Sequence, residues 1–109
     1  MKLKNKVVLY IPSTIDINIP IDNKTQVEKA CVFFSSLFGG CTTINASGKW
    51  IDSNSNLITE NISLVYSNCT TLQLLKSKKA IINYAHNLCD EMKQACISLE
   101  INNKLMFIE

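Results

Sequence analysis

The order of apolar segments along the chain predicts an α+β fold of the ferredoxin-like, split βαβ type. Short β-branched runs, typical of strands, alternate with two long segments whose apolar residues recur every three or four positions, as on one face of a helix. The order is βαββαβ followed by a short C-terminal β-strand. Two successive βαβ halves predict an antiparallel sheet with both helices on one face. We expect residues 1–109 to form a single α+β domain, because this length supports one hydrophobic core.

The first βα unit is well marked in the sequence. Residues 6–11 (KVVLYI) form an apolar run closed by Pro12, which predicts a buried strand. Asp22 or Asn23 can cap the first helix by accepting a backbone N–H bond. Gly39-Gly40 then end this helix, because glycine readily adopts the left-handed conformation of a C-terminal cap. The predicted buried stripe of the helix consists of Val27, Ala30, Cys31, Phe34, Leu37 and Phe38.

The middle of the chain predicts a β-hairpin and a second helix. Residues 41–51 and 57–67 have strand composition and flank a polar turn, residues 52–56. Ser47-Gly48 suggests a bulge or kink in the first of these strands. The sequence at residues 70–73 (TTLQ) fits a capping box, in which threonine and glutamine side chains satisfy free backbone donors. We expect the helix to run to about residue 93.

The C-terminal part predicts a last long strand and a short returning strand. Residues 95–101 (ACISLEI) have strand composition, and Asn102-Asn103 can form a two-residue turn with positive φ. Residues 104–108 then fold back as the short C-terminal strand.

An Ile-rich segment, residues 14–23, is inserted between the first strand and the first helix. Ile15, Ile17, Ile19 and Ile21 alternate with polar residues or proline, which predicts an extended segment with one apolar side. Connections in such folds usually need only about two to six residues. The segment could cover the open sheet face, extend a sheet edge or contact a partner.

Composition and charge narrow the classes of function. The net charge is +2, and all eleven basic residues are lysines. Nucleic-acid binding is disfavoured, since arginine is the residue best suited to bidentate phosphate and guanine recognition. Five cysteines without close pairs indicate a reducing compartment, and no apolar run has the length of a membrane span. We therefore predict a cytoplasmic protein without a membrane partner.

The residues with reactive side chains form no recognisable catalytic or metal motif. His86 and Cys89 stand three positions apart on the second helix, and Cys96 follows seven residues later. Nothing supplies an orienting carboxylate, an oxyanion hole or the close ligand pairs of a zinc site. Burial as small hydrophobic residues accounts for all five cysteines. We predict no catalytic residue, no metal and no cofactor.

Two further features concern binding. Leu9-Tyr10-Ile11 is similar to the start of an RNA-recognition motif, but the partner signature is missing from residues 62–67. Lys49 and Trp50 lie in the central hairpin, where tryptophan is either an exposed binding residue or a cover for one end of the core.

Several segments together resemble one family of small proteins. They are VVLYIPST (7–14), the Asp-Asn pair at 22–23, LFGG (37–40), GKW (48–50), LVYS (64–67) and ISLEINNKLMFI (97–108). The chain is similar in these segments to uncharacterised accessory proteins of plasmids, phages and conjugative transposons in Firmicutes, clostridia especially. The resemblance implies an accessory role in a mobile element, and it transfers no catalytic residue.

The first hypothesis for function is a non-enzymatic interaction protein, a homodimer that binds and inhibits a host protein such as a defence nuclease. The alternative is a small-ligand-binding protein or small enzyme with a pocket between the sheet and the Ile-rich segment, lined by Trp50, Tyr10 and Tyr66. The third is an RNA-binding module. Under the first hypothesis, Ile17→Asp should disrupt dimerisation or partner binding more than folding. The predicted partner-binding residues are Ile15, Ile17, Ile19, Ile21, Trp50, Lys49 and Tyr10.

Overall fold

The computed structural model describes residues 1–16 and 18–109 and confirms the ferredoxin-like α+β fold. The main sheet is antiparallel, and its five strands are arranged in the order β4-β5-β1-β6-β7. Both helices contact this sheet. The elements are β1 (Asn5–Pro12), β2 (Thr14–Ile15), β3 (Ile19–Pro20), α1 (Lys24–Phe38), β4 (Thr42–Ile51), β5 (Leu57–Cys69), α2 (Thr71–Glu91), β6 (Ile97–Ile101) and β7 (Lys104–Ile108).

The core lies between the helices and one face of the sheet. Every second residue of the central strand β1 points into it, and Val7, Leu9 and Ile11 are fully buried. From α1, Phe34 enters the core with its whole side chain, and its ring lies edge-on to that of Phe38 with centroids 6.2 Å apart. The predicted stripe of α1 is confirmed, since its other members are buried or packed against this core.

Two of the three predicted helix caps form as expected, and the third forms in part. Thr70 and Gln73 form the predicted capping box at the start of α2. Gly39 ends α1 in the left-handed conformation with φ of 90°. At the start of α1, however, Asn23 occupies the cap position without a side-chain cap bond, and the Asp22 carboxylate accepts from Lys24 N instead.

The prediction of one extended Ile-rich segment is wrong for the described residues. Asp16 adopts a positive φ of 52°, and β2 and β3 pair as a two-stranded hairpin. Asp16 N donates to Met92 O beyond the end of α2, which ties this hairpin to the end of the core rather than to the open sheet face. Ile21 packs against the core, whereas Ile19 is 54% exposed. Ile17 lies outside the described residues.

The predicted bulge at Ser47-Gly48 is also wrong. The β4–β5 ladder is continuous from Thr42↔Tyr66 to Ile51↔Leu57. Gly48 makes room for a neighbouring side chain, because a Cβ there would lie 3.1 Å from Ile62 Cδ1. The hairpin extends beyond β1, which gives the molecule a long axis of 49 Å.

The C-terminal strand β7 adds a fifth strand at the edge of the sheet. Asn102 and Asn103 both adopt positive φ, as predicted for a two-residue turn. The Asn102 side chain bonds to β1 through Lys6 N and Asn5 Oδ1, so the turn is fixed to the central strand. Neither helix in residues 1–16 and 18–109 is both long enough and apolar enough to span a bilayer.

Candidate functional site

A polar cleft of about 410 Å³ opens between the end of the Ile-rich segment and the β4–β5 hairpin. This volume falls within the usual range for small-molecule sites, roughly 300–1,000 Å³. Carboxamide and hydroxyl side chains dominate its wall, and we call it the amide cleft. It is lined by Ser13, Ile21, Asp22, Asn23, Asn45, Ala46, Asn61, Ile62 and Ser63.

Strand register places the asparagines of the hairpin on the helix side of the sheet. Asn45 pairs with Ser63, which is buried on the same face as the core residue Val65. Asn61 is two residues from Ser63 along β5 and therefore shares that face. The helices do not cover the sheet at this end, so both carboxamides are exposed and border the cleft.

Hydrogen bonds from Asn23 and Ser13 fix the wall of the cleft. Asn23 Nδ2 donates to Ser63 Oγ at 3.1 Å, to Pro12 O at 3.2 Å and to Ile11 O at 3.4 Å. Ser13 Oγ donates to Asn61 O at 2.6 Å. These bonds join α1, the end of β1 and β5. The side chain that could have capped α1 therefore holds the cleft together.

Asp22 supplies the one ionisable side chain among the described residues that line the amide cleft. Its Oδ1 accepts from Lys24 N at 3.0 Å, at the positive end of α1, where a carboxylate is stabilised. The remaining lining consists of neutral amides, hydroxyls and three apolar residues, Ile21, Ala46 and Ile62. The side chains of Ala46 and Ile62 point to the open face of the sheet, because these residues alternate with Asn45 and Asn61 along the strands. The cleft can thus read the hydrogen-bonding edge of a neutral ring while presenting a single negative charge.

The Ile-rich segment is held beside the cleft by the loop after α2. Gln94 Nε2 donates to Thr14 O at 3.0 Å and to Met92 O at 3.1 Å. Ile21 N donates to Ser13 O at 2.9 Å and closes the base of the β2–β3 hairpin. The segment therefore forms a fixed rim rather than a free extension.

The opposite, open face of the sheet carries a smaller cleft of about 200 Å³, whose lining includes Tyr10, Glu60, Gln94 and Ser98. Tyr10 Oη donates to Glu100 Oε1 at 2.9 Å. Burial, and then the Glu100 carboxylate, raise the pKa of Tyr10, so this hydroxyl stays protonated at neutral pH. Carboxylates on this face also oppose the binding of nucleic-acid phosphates.

The predicted partner-binding residues do not form one surface in the described structure. Ile15 is half-buried and Ile21 faces the core, whereas Trp50 is 47% exposed on the hairpin arm. Lys49 is exposed and donates to Thr59 Oγ1 across the hairpin at 3.0 Å. Tyr10 lies on the open face. Their role in binding a protein, and the homodimer, stay predictions.

The predicted pocket between sheet and Ile-rich segment exists, but the side chains expected to line it lie elsewhere. Tyr10 and Tyr66 occupy strand positions whose side chains point to the open face of the sheet. On that face, Lys6 Nζ lies 4.2 Å from the Tyr66 ring centroid. Trp50 belongs to the part of the hairpin beyond β1. Aromatic residues are frequent in binding sites, which favours them in a sequence-based prediction, yet the wall that forms is made of amides.

Two reactive side chains of α2, those of His86 and Cys89, each contact a backbone carbonyl oxygen. His86 Nδ1 contacts the carbonyl oxygen of Glu109, and the Cys89 thiol donates to Gln94 O at 3.1 Å. Burial raises the pKa of Cys89 and of Cys69, and burial together with a hydrogen bond from the Cys31 thiol to Cys41 raises the pKa of Cys31 to about 11. These thiols are therefore poor nucleophiles at neutral pH. Among the described residues, no three His, Cys, Asp or Glu side chains are grouped to hold a metal ion.

Two solved structures match the chain over almost its whole length. One is a phage SAM lyase in complex with S-methyl-5′-thioadenosine: TM-score 0.70, 12% sequence identity, covering 99% of this chain and 91% of that one. The other is a phage SAM lyase in the apo state: TM-score 0.66, 14% identity, covering 95% and 87%. The chain shares this enzyme's fold. No protein-family model matches it, and no curated protein matches it in sequence.

This match corrects the predicted function. A non-enzymatic interaction protein that inhibits a host nuclease is contradicted, because both similar structures are of an enzyme and their fold covers nearly the entire chain. The alternative, a small enzyme with a pocket beside the Ile-rich segment, agrees better with the match and with the amide cleft. Both structures are of phage proteins, which agrees with the resemblance to phage accessory proteins.

Sequence reasoning did not identify Asn45 and Asn61, which line the amide cleft, as candidate site residues. Asparagine is unfavourable in strands, so two asparagines within strand segments of one hairpin were an available signal. Their closeness to residues 13 and 22–23 depends on contacts across up to 48 positions of the chain, as between Ser13 and Asn61, and local patterns do not report such contacts.

Proposed function

We propose that this protein is a small enzyme that cleaves S-adenosylmethionine (SAM) to S-methyl-5′-thioadenosine, with the ligand bound in the amide cleft. The observation that carries the proposal is the near-complete fold match to an enzyme whose solved structure contains that thioether nucleoside, together with a polar cleft of ligand size. An origin in a plasmid or phage of Firmicutes, as the sequence resemblance implies, belongs to the same proposal.

The chemistry of SAM suits a cleft with few ionisable groups. Its sulfonium is already a good leaving group, and cleavage of the bond to the γ-carbon returns both bonding electrons to sulfur as a neutral thioether. The α-carboxylate of the same substrate can supply the electron pair that the γ-carbon needs, closing a five-membered lactone. Such an intramolecular attack depends mainly on holding the reacting atoms in position. No general base is required.

The lining of the amide cleft fits this reaction in two respects. The positive charge on sulfur disappears during cleavage, so neutral surroundings such as the amides of the wall and the apolar side chain of Ile21 favour the transition state over the charged substrate. The Asp22 carboxylate can accept hydrogen bonds from the two ribose hydroxyls, since one of its oxygens is already fixed at the start of α1. Asp22 would then bind and orient the nucleoside.

The test is a direct assay for the products. The protein is incubated with SAM, and the nucleoside and the four-carbon product are separated and identified by mass spectrometry. We expect S-methyl-5′-thioadenosine and homoserine lactone in equal amounts, formed over many turnovers. If folded protein at a concentration equal to that of SAM releases no S-methyl-5′-thioadenosine above the spontaneous rate, the proposal fails.

Asp22→Asn tests the assigned residue. Asparagine can retain the bond from Lys24 N, so folding should be preserved, but it removes the charge that strengthens hydrogen bonds to ribose. A hydrogen bond to a charged group contributes about 1.5–3 kcal/mol, so kcat/KM should fall roughly 10- to 150-fold. The matched control is Asp90→Asn, an exposed acid on α2 outside the lining of the cleft. Equal kcat/KM values for Asp22→Asn and Asp90→Asn would show that the Asp22 carboxylate does not contribute to substrate binding.

A further inference from the structure

The side-chain carboxamides of Asn45 and Asn61 line the amide cleft but make none of the hydrogen bonds that hold its wall together. Those bonds use the side chains of Asn23, Ser13 and Ser63, with the backbone carbonyl of Asn61 as one acceptor. The side-chain amides of Asn45 and Asn61 take no part in them and are exposed to solvent. Each carries a donor and an acceptor in one plane.

Strand pairing sets the spacing of these two amides. Asn45 stands opposite Ser63, and Asn61 stands opposite Ser47, so the asparagines are diagonal neighbours on one face. Diagonal neighbours in an antiparallel pair lie about 7–8 Å apart at most, which two side chains can bridge to one planar ring. Ile21 also lines the cleft and provides apolar surface for one face of the ring.

Asparagine is also a costly choice at these two positions. Strands favour β-branched and aromatic residues, and asparagine is depleted in them. Residues that break a local preference are expected where a function requires them. A ligand that carries a hydrogen-bond donor next to an acceptor along one edge would supply such a requirement, because a carboxamide offers the complementary groups.

We propose that Asn45 and Asn61 recognise the adenine base of the ligand through its N6 and N7 edge, and so determine base specificity. This edge offers one acceptor, N7, and one donor, the N6 amino group, and the two carboxamides can share them, one donating to N7 and the other accepting from N6. Hypoxanthine replaces that amino group by an oxygen, which cannot donate. The carboxamide oxygen would then lose its hydrogen bond from N6 and would lie against the oxygen on C6, which is also an acceptor. This inference rests on the proposed function, because it takes an adenine nucleoside as the ligand.

The experiment compares two ligands that differ in the group on C6, amino or oxo, and in the hydrogen that N1 carries in the oxo compound. Calorimetric titration of the full chain with S-methyl-5′-thioadenosine and S-methyl-5′-thioinosine gives the adenine preference as the ratio of the two dissociation constants. We expect the unmodified protein to prefer the adenine compound by about 5- to 150-fold, the range for one bidentate contact. Asn45→Ala and Asn61→Ala should each reduce this ratio, and the double variant should bring it close to one.

The control is Asn83→Ala, which removes an exposed asparagine from α2, outside the cleft. Its ratio should equal that of the unmodified protein. A purely structural role for Asn45 or Asn61 would weaken both ligands together and leave the ratio unchanged, which would overturn the inference. The inference also fails if neither compound binds the folded protein.

The outcomes separate the inference from the proposed function. Cleavage of SAM with an unaltered base preference in Asn45→Ala and Asn61→Ala would refute the adenine contacts and leave the enzyme proposal intact. A preference that disappears in these variants, in a protein that releases no thioether nucleoside from SAM, would support the adenine contacts and refute the enzymatic activity.

Discussion

Replacing Asn23 by alanine should lower the free energy of unfolding by about 2 kcal/mol and weaken ligand binding at the same time. The Asn23 amide donates to two backbone carbonyls at the end of β1 and to Ser63 Oγ on β5. Removing a donor that satisfies partly buried acceptors costs about 1–3 kcal/mol. Urea unfolding followed by circular dichroism measures the loss, and titration with S-methyl-5′-thioadenosine measures the effect on the cleft.

A second variant identifies the reason for the loss. Aspartate is an excellent helix cap but cannot donate a hydrogen bond, so Asn23→Asp separates the two roles available to this position. If the amide acts as a donor to β1 and β5, Asn23→Asp should be at least as destabilised as Asn23→Ala. Full stability in Asn23→Asp would show that helix capping is what matters. Asn83→Ala serves as the control and should be as stable as the unmodified protein or slightly more, because alanine favours helix.

Truncation of Phe34 should be the most destabilising single change in the core, by about 3–5 kcal/mol. Its side chain is completely buried between α1 and the sheet, and it contacts the rings of Phe33 and Phe38 on its own helix. Since small domains have only about 5–15 kcal/mol of stability, Phe34→Ala would leave a fraction of the molecules unfolded at about 37 °C. Thermal unfolding should show a fall in Tm of at least about 10 °C.

The neighbouring position Val32 provides a matched control for Phe34. Val32 lies on the same helix but is 71% exposed. Val32→Ala should therefore change the free energy of unfolding by less than about 0.5 kcal/mol. If Phe34→Ala were no more destabilising than Val32→Ala, the described burial of Phe34 between α1 and the sheet would be contradicted.

The elements of the fold were predictable because each has a local cause. The stripe that includes Phe34, the glycine at position 39 and the box formed by Thr70 and Gln73 all act within a few residues. The βαββαβ order then indicates the split βαβ plan, in which the central pairs join strands that are not consecutive in the chain, as β1 pairs with β5 and β6. The observed strand order agrees with that prediction.

The Ile-rich segment shows where local reasoning failed. Alternation of isoleucine with polar residues predicts an extended chain, but nothing in the pattern indicates that Asp16 takes a positive φ. That turn is accompanied by bonds to the loop after α2, such as Asp16 N to Met92 O, some 76 residues away in sequence. Such long-range contacts are set by the fold and not by periodicity.

The proposed site was not predictable for a chemical reason. Searches of a sequence for catalysis look for nucleophiles, general bases and metal ligands. A substrate that supplies both its leaving group and its nucleophile requires none of these, and a wall of amides has no fixed spacing in the sequence. Asn45 and Asn61 therefore looked like ordinary surface residues of a hairpin.

The most direct test of the proposed site is the location of the ligand in solution. In a titration of ¹⁵N-labelled protein with S-methyl-5′-thioadenosine, the side-chain amide signals of Asn45 and Asn61 and the backbone signals of residues 21–24 report on the amide cleft. We predict that these signals shift together and saturate at one equivalent of ligand. Shifts confined to the open face around Tyr10 and Glu60, or the absence of shifts at millimolar ligand, would contradict binding in the amide cleft.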